Sequence, residues 1–284
     1  MAALAAFFFA TMPVAARLVY RGGAADSFSL LAVRFAGGAL LLWFLRDRRE
    51  PLWPAGAEIP WLALAVGGLT ATSAAYFHAL RTVPAATAVL LVYTYPAFTA
   101  IAARAWFREP LGLRRGAALT VTFIGCAALI GWSRAGLRGV PLAGLLIAAL
   151  SGLTYAGFGL GGQQVMRARS AAWVNRWAVT GAALVFLSLR PPTTWAAGGR
   201  PLLYGGLYLA VIATYLANTL YLAAVRRVGA TRAGLYSTTE PIFTAILAWL
   251  FLRERLTGGQ MAGAALVLIG VLWLEGLTEN RERQ

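Results

Sequence analysis

The fold is decided by a stretch that occurs twice in the chain. Residues Thr94–Leu111 read TYPAFTAIAARAWFREPL, and residues Thr239–Leu256 read TEPIFTAILAWLFLRERL. When the chain is shifted by 145 residues, Tyr76–Gly131 lies over Tyr221–Gly276, and about 22 of the 56 aligned positions are identical. Apolar composition produces chance matches of Ala and Leu, but not Thr-x-Pro-x-Phe-Thr-Ala-Ile followed in register by Arg-Glu-x-Leu. The repeat predicts two structurally equivalent halves.

The sequence around both copies is strongly apolar. Of 284 residues, 60% are hydrophobic and 12% are charged, whereas about 25% charged residues is usual in a soluble domain. We therefore predict an all-α polytopic membrane protein with ten transmembrane helices. The ten apolar segments are residues 2–20, 27–45, 60–80, 84–107, 113–132, 140–165, 171–189, 202–225, 229–252 and 258–277.

Each half of the chain then contains five helices. Because five is an odd number, the second half must enter the membrane in the opposite sense to the first. The prediction is two inverted five-helix repeats, residues 1–135 and 136–277, followed by a polar C-terminal tail at 278–284. This arrangement is typical of secondary transporters, whose binding site lies near the bilayer midplane between the repeats.

The charged residues indicate membrane topology. All 25 basic residues are Arg, and most lie in connections between apolar segments, so the net charge of +15 predicts membrane-flanking loops and no nucleic-acid partner. The Arg distribution favours both termini in the cytoplasm. The membrane is, as a hypothesis, a bacterial inner membrane. We interpret the first apolar stretch as a transmembrane helix rather than a cleaved signal peptide, because no basic segment precedes it.

No pattern in the sequence favours an enzyme. Both Asp residues fall in predicted loops, His78 is the only His, and there is no carboxylate cluster or HExxH motif. The absence of Lys excludes a Schiff base, and the single Cys126 excludes an intrachain disulfide. We therefore expect no catalytic residue, metal or cofactor. The expected partners are the lipid bilayer, a small-molecule substrate and, as a hypothesis, protons; monomer and homodimer stay open.

The chain resembles a known family over essentially its whole length. The segments that carry the resemblance are RFAGGALLL at 34–42, AAYFHALRTVPAATAVLLVYTYPAFTAI at 74–101, FREPL at 107–111, Gly125, their second copy at 221–256, and Gly270. They are similar to EamA-type members of the drug/metabolite transporter superfamily. The resemblance implies a carrier of small metabolites, often an exporter. It does not imply a particular substrate.

Glu240 is the most informative single residue. It lies 13 residues from both Arg227 and Arg253, or roughly 20 Å of helix, which predicts a position near the bilayer midplane. An ionisable group at that depth is costly and is a candidate functional group. We expect Glu240 to bind substrate and to carry a coupled proton. A neutral Glu that bonds to a neighbouring helix is the alternative; the repeat equivalent is Tyr95.

Pro96 and Pro241 occupy equivalent positions next to Tyr95 and Glu240. Each proline lacks an N–H group and so frees a carbonyl four residues earlier. Free carbonyls at membrane depth must line a cavity or find other partners. We therefore expect kinks with a gating role at these prolines, and a kink accommodated by ordinary packing is the alternative.

Helical spacing places further aromatic and polar side chains on faces directed at the same region. The predicted substrate-binding residues, besides Glu240, are Tyr95, Tyr236, Asn218, Tyr221, Tyr76, Phe77, Tyr155, Phe98 and Phe243. Together they predict a cavity of aromatic rings with a few polar groups, which is the usual lining of a small-molecule site. Ordinary helix packing is the alternative for each ring.

Two arginines lie inside predicted helices. We expect Arg34 and Arg176 to reach an interface or to bond to carbonyl groups of a neighbouring helix, and contact with an anionic group of the substrate is the alternative. The pairs Arg108–Glu109 and Arg253–Glu254 end equivalent helices and are expected to form loop turns, with a gate as the alternative.

The sequence thus predicts a secondary transporter of small metabolites that works by alternating access. The hypothesis is an exporter of amino acids or related amphipathic compounds, with proton coupling through Glu240. The alternatives are a facilitative uniporter or channel-like permease, and a multidrug efflux carrier.

Overall fold

The computed structural model describes residues 1–23, 25–107, 112–136, 140–221, 224, 237 and 239–282. These residues form helices and connecting loops, and no strand occurs among them. The helices are α1 Ala2–Arg21, α2 Ser27–Phe44, α3 Ile59–Ala79, α4 Ala85–Val92, α5 Tyr95–Phe107, α6 Leu113–Gly136, α7 Leu142–Val165, α8 Ala171–Leu189, α9 Gly199–Tyr208, α10 Glu240–Leu247 and α11 Gly258–Glu282. Wider π-helical turns continue α9 through Leu209–Ala217 and α10 through Ala248–Leu252.

Apolar helices of membrane-spanning character dominate the structure. Six are long and apolar enough to cross a bilayer: Ala3–Arg21, Ser27–Phe44, Gly56–Ala79, Leu142–Val165, Ala171–Leu189 and Pro192–Tyr221. Four shorter apolar helical segments are Ala85–Thr99, which includes the break between α4 and α5, Gly116–Leu129, Glu240–Leu252 and Gly258–Trp273. The all-helical class is therefore confirmed for the described residues, and the long apolar helices are compatible with a multi-pass membrane protein. The count of ten spans stays a prediction, although each of these helices overlaps one of the ten predicted segments.

The two copies of the repeated stretch both place a helix start beside a proline. In the first copy, α4 ends at Val92 and α5 begins at Tyr95, one residue before Pro96. In the second copy, α10 begins at Glu240, one residue before Pro241. Proline suits the first turn of a helix because the N–H it lacks has no intrahelical partner there. Tyr95 and Glu240 therefore both occupy the first position of a half-helix.

Helices α3 and α7 pack antiparallel along a seam of glycines. A Cβ atom on Gly68 would collide with the backbone N of Phe158, and one on Gly161 would lie 2.5 Å from the carbonyl O of Trp61. Small residues let membrane helices approach to backbone contact. The beginning of α3 consequently lies beside the end of α7.

Helices α6 and α11 cross at a second pair of glycines with a reciprocal geometry. A Cβ on Gly125 would lie 2.6 Å from the backbone N of Val267, and one on Gly270 would lie 2.8 Å from the backbone N of Thr122. Gly270 and Val267 lie 145 positions after Gly125 and Thr122, so the repeat alignment converts each of these contacts into the other. Such reciprocity is expected of two halves related by a two-fold axis. It supports the inverted repeat, which stays a prediction for the chain as a whole.

Ion pairs lie at two opposite ends of the helices. At one end, Arg17 of α1 pairs with Glu254 at 2.8 Å, and the backbone N–H of Ala85 donates to the same carboxylate at 2.8 Å. We call these three residues the far-face latch. At the other end, Arg169 pairs with Glu58 at 2.7 Å beside the start of α3, and we call that end the near face.

Asp26 caps α2 at the far face. Its carboxylate accepts hydrogen bonds from the backbone N–H groups of Phe28 at 2.9 Å and Ser29 at 3.1 Å, and the Ser29 hydroxyl donates to it at 2.6 Å. Arg190 pairs with the carboxylate at 3.3 Å. Partial burial raises the pKa of Asp26, but the hydrogen bonds from Ser29 and the nearby Arg190 outweigh burial and hold the pKa below its ordinary value.

We expect Asp26→Ala to lower the free energy of unfolding by about 1 kcal/mol at pH 7, because the first N–H groups of α2 lose their acceptor. The folded-state pKa of Asp26 lies below the unfolded value, so this contribution is present above about pH 4 and is lost as the pH falls through the folded-state pKa. Thermal unfolding in detergent, measured between pH 7 and about pH 3, should therefore show that the stability difference between wild type and Asp26→Ala becomes smaller as the pH falls. Asp26→Asn keeps a capping acceptor and should stay closer to wild type. Equal stability of Asp26→Ala and wild type at pH 7 would contradict the prediction.

Candidate functional site

A cavity of about 280 Å³ lies between the helices of the two predicted halves. It contacts α1, α2, α3, the break between α4 and α5, α7, α8, the helix that follows α9, and the start of α10. Seven of the predicted site residues line it: Glu240, Tyr95, Asn218, Tyr221, Tyr76, Phe77 and Tyr155. The cavity therefore brings together most of the residues that the sequence directed at one region.

The Glu240 carboxylate shares a hydrogen-bonded cluster with Tyr93. The Tyr93 hydroxyl lies 2.9 Å from Glu240 Oε2 and 2.7 Å from the carbonyl O of Ser237. Ser237 is the residue whose carbonyl Pro241 frees, because Pro241 has no N–H group to bond it. Tyr93 thus supplies a donor to the carbonyl that the sequence predicted to need one.

One hydroxyl proton serves two acceptors in this cluster. When Tyr93 donates to Glu240, the carboxylate is stabilised in its ionised form. When Tyr93 donates to Ser237, its oxygen is left as an acceptor for a protonated Glu240. The cluster therefore accommodates both protonation states of Glu240 with a rotation of one hydroxyl.

Tyr76 lines the cavity with an unsatisfied hydroxyl. The residue is 4% exposed, and its hydroxyl has no hydrogen-bond partner within the described part of the chain. Glu240 and Arg34 line the same cavity. A buried hydroxyl without a partner is costly, so this position suits a ligand with a polar group.

Aromatic rings cover one side of the cavity. The rings of Tyr95 and Tyr155 meet edge to face, with centroids 4.8 Å apart, and Tyr155 is followed by Phe158 at 5.5 Å. Tyr93 lies on the other side of Tyr95 at 6.1 Å. Such rings present apolar faces with polar tips, which suits an amphipathic ligand.

The structure places two predicted site residues outside the cavity. Phe98 packs on Phe123 of α6 with ring centroids 5.4 Å apart, and Phe243 packs on Phe7 of α1 at 5.6 Å. The cavity reaches only the first residue of α5 and of α10, and both phenylalanines lie about one turn, or ~4.5 Å, further along. Tyr236 lies outside the described residues.

Several lining residues were not predicted from the sequence. Tyr93 and Asn175 line the cavity, as do Phe9 and Met12 of α1. The sequence position of Tyr93 could have indicated its role. It directly precedes the first copy of the repeated stretch, and in the structure its hydroxyl bonds to the carbonyl of Ser237, which Pro241 frees in the second copy. Nothing in the composition of α1 distinguishes Phe9 or Met12 from its other apolar residues.

The two buried arginines differ from the expectation and from each other. Arg34 is 8% exposed and lines the cavity, and its Nε donates to Thr214 Oγ1 at 3.0 Å. Arg176 is 4% exposed and pairs with Glu50 at 2.6 Å. Neither bonds to a carbonyl group in the described part of the chain, so that part of the expectation was wrong, whereas Arg176 does reach the connection between α2 and α3 through Glu50. Their partners are side chains instead: Thr214 of the helix that continues α9 for Arg34, and the loop residue Glu50 for Arg176.

The cavity extends toward the near face and ends short of the far face. Its lining includes Met166 after the end of α7 and Ala171 at the start of α8. On the opposite side it ends at Tyr76 and Val89, below the far-face latch. Glu254 was expected to form a loop turn with Arg253, but it pairs across the bundle with Arg17 instead. Arg108 and Glu109 lie outside the described residues.

We expect Glu254→Gln to loosen the far face, because Arg17 then keeps a partly buried charge without its carboxylate. A hydrogen bond to a charged group contributes about 1.5–3 kcal/mol. The population of molecules whose cavity is open at the far face should therefore rise by about tenfold or more. The measurement is the rate at which a membrane-impermeant maleimide, added at the far face, labels Ser73→Cys in a Cys126→Ala background.

The matched control for the latch is Glu58→Gln, which removes the carboxylate of the near-face pair with Arg169. This variant should leave labelling from the far face unchanged. Equal labelling rates in Glu254→Gln and its parent would show that the latch does not hold the far face closed.

The helical architecture and the enclosed, partly polar cavity define the class of membrane transport proteins. Within that class, the chain belongs to the EamA-like transporter family, whose model matches residues 1–131 and 142–275. This confirms the family resemblance that the repeated stretch indicated.

Curated relatives are transporters. The chain is 25% identical over 233 residues to the uncharacterized transporter sll1319 of Synechocystis, covering 81% of this chain and 70% of that protein. It is 27% identical over 263 residues to the threonine/homoserine exporter RhtA of Salmonella typhimurium, covering 89% of this chain and 83% of that protein. A solved crystal structure of another protein matches with a TM-score of 0.62 and 19% identity, covering 99% of this chain and 96% of that chain; this likeness concerns the fold.

Proposed function

We propose that the chain is an alternating-access secondary transporter that exports an amino acid or a related amphipathic compound. The observation that carries this proposal is the Glu240 carboxylate, which faces an aromatic cavity at a break in the helices. A carboxylate in that position recognises the ammonium group of a substrate, while the rings contact its apolar part.

The size of the cavity favours a small substrate. Its volume of about 280 Å³ lies just below the range of about 300–1,000 Å³ for sites that bind drug-sized ligands. A multidrug carrier needs a larger or more adaptable cavity. The similarity to an exporter of threonine and homoserine supports the same substrate class.

Proton coupling is part of the proposal. Tyr93 supports Glu240 in both the ionised and the protonated form, so Glu240 can exchange a proton without losing its hydrogen bond to Tyr93. We propose that Glu240 releases its proton when it binds the substrate ammonium group and takes up a proton when the substrate leaves, which is the sequence an antiporter requires.

The two ends of the cavity support alternating access. The cavity extends toward the near face, while the far-face latch closes the other end. We propose that the near face is cytoplasmic, with ten spans, two inverted repeats and both termini on that side of a bacterial inner membrane. The half-helices that begin beside Pro96 and Pro241 are the elements we expect to move during exchange.

A thermal-shift panel on the detergent-purified protein tests the substrate class. The panel contains amino acids, amines, carboxylic acids and lipophilic drug-like cations. We expect one or more amino acids to stabilise the wild-type protein, and Glu240→Gln to weaken that effect. Stabilisation by lipophilic cations alone would favour the multidrug alternative and would contradict the proposal.

A further inference from the structure

We infer that Arg34 binds the anionic group of the substrate, so that Arg34 and Glu240 form two opposite poles that select zwitterions. This inference rests on the proposed function and names the substrate chemistry of the same cavity. It assigns to Arg34 a role that the sequence alone did not favour.

Arg34 is held in a defined orientation inside the bundle. Its Nε donates to Thr214 Oγ1 at 3.0 Å. The guanidinium carbon lies 4.9 Å from the ring centroid of Phe35 and 5.1 Å from that of Phe77. These contacts use the Nε–H group and place two aromatic rings against the guanidinium. The terminal nitrogens donate to no group in the described part of the chain, and Arg34 lines the cavity.

Arg176 is a buried arginine that does not line the cavity, and it offers a comparison with Arg34. The two residues stand at matching places in the two halves, in VRFAGGALL and NRWAVTGAAL. Arg176 is neutralised by Glu50 at 2.6 Å. Arg34 is buried to a similar degree, yet it belongs to none of the ion pairs among the described residues. A buried charge without a counter-ion is unfavourable, so Arg34 suits an anion that arrives with the substrate.

The surroundings of Arg34 fit a carboxylate. A planar guanidinium with free terminal N–H groups matches the two oxygens of a carboxylate. The unpartnered Tyr76 hydroxyl lines the same cavity as Arg34 and Glu240, and it can donate to the same carboxylate. An amino acid then places its carboxylate at Arg34, its ammonium group at Glu240 and its side chain against Tyr155.

Pairs of compounds that differ only in the carboxylate test this inference. The probes are L-threonine, L-leucine and L-phenylalanine, each compared with the amino alcohol that carries CH2OH in place of the carboxylate. Binding to the purified full-length protein is measured by calorimetry. We expect wild type to bind at least one amino acid about tenfold or more tightly than its amino alcohol.

The variants separate recognition from folding. Arg34→Gln should remove the preference for the amino acid while leaving the affinity for the amino alcohol unchanged, and Arg34→Lys should keep part of the preference. Thr214→Val, which frees the guanidinium from its anchor, should reduce the preference several-fold and serves as a second variant if Arg34→Gln fails to fold. Arg176→Gln is the matched control and should keep the full preference.

The outcomes distinguish this inference from the proposed function. Equal affinity of wild type for amino acids and amino alcohols, or an unchanged preference in Arg34→Gln or Thr214→Val, would overturn the role of Arg34 and leave an amine carrier in place. Binding of neither member of any pair would contradict the proposed amino-acid substrate, and the inference with it.

Discussion

Glu240→Gln is expected to abolish proton-driven transport while leaving a folded protein. Glutamine keeps the size of the side chain and an acceptor for Tyr93, but it cannot ionise. The lost contact between carboxylate and ammonium, about 1.5–3 kcal/mol for a charged hydrogen bond, should weaken substrate binding by about 10- to 100-fold. The measurement is substrate accumulation in proteoliposomes with and without an imposed pH gradient.

Glu58→Gln provides the control for this variant, because Glu58 is also a carboxylate in an ion pair but lies at the near face, away from the cavity lining. It should retain accumulation driven by the pH gradient. If Glu240→Gln accumulates substrate in response to the gradient as wild type does, Glu240 does not carry the coupled proton.

Gly68→Ala is expected to be among the most destabilising single changes in the chain. The added Cβ meets the backbone of α7 at Phe158, and a backbone atom cannot move aside as a flexible side chain does. Overpacking of this kind costs about 1–3 kcal/mol or more, so the melting temperature should fall by about 5–10 °C. Gly68→Leu should prevent recovery of folded protein.

The neighbouring Gly67 supplies the matched control. It is exposed, and no atom lies within 4 Å of the Cβ it would gain. Gly67→Ala should therefore leave the melting temperature unchanged or raise it slightly, because Ala favours a helix over Gly by about 1 kcal/mol. Equal melting temperatures for the two alanine variants would show that α3 and α7 do not pack through this seam.

The repeated stretch was the main basis for predicting the fold from the sequence, because it predicted two equivalent halves. It predicted kinks at the equivalent positions Pro96 and Pro241, and apolar length predicted the multi-pass helical class. It could not predict that the helix over 84–107 stops at Val92 before restarting at Tyr95, because Tyr93 and Thr94 are compatible with a continuous helix. In the structure, Tyr93 at the break bonds to two residues of the second half, Ser237 and Glu240.

The candidate site was predicted less completely, and for a different reason. Residues at the start of a half-helix, such as Tyr95 and Glu240, could be placed from spacing alone. Whether Arg34 or Arg176 carries a counter-ion depends on Glu50, which lies in a loop and reaches Arg176 only in the folded chain. Spacing along one helix cannot show which of two similar arginines another segment neutralises.

Counterflow in proteoliposomes tests the central claim most directly. Liposomes that contain the purified protein are preloaded with the unlabelled amino acid that stabilises it most, and entry of the labelled compound is followed with no ion gradient. An alternating-access carrier predicts that the preloaded substrate accelerates entry and produces a transient accumulation above equilibrium. Entry at the same rate with and without preloading, with no overshoot, would be the behaviour of a channel and would contradict the account.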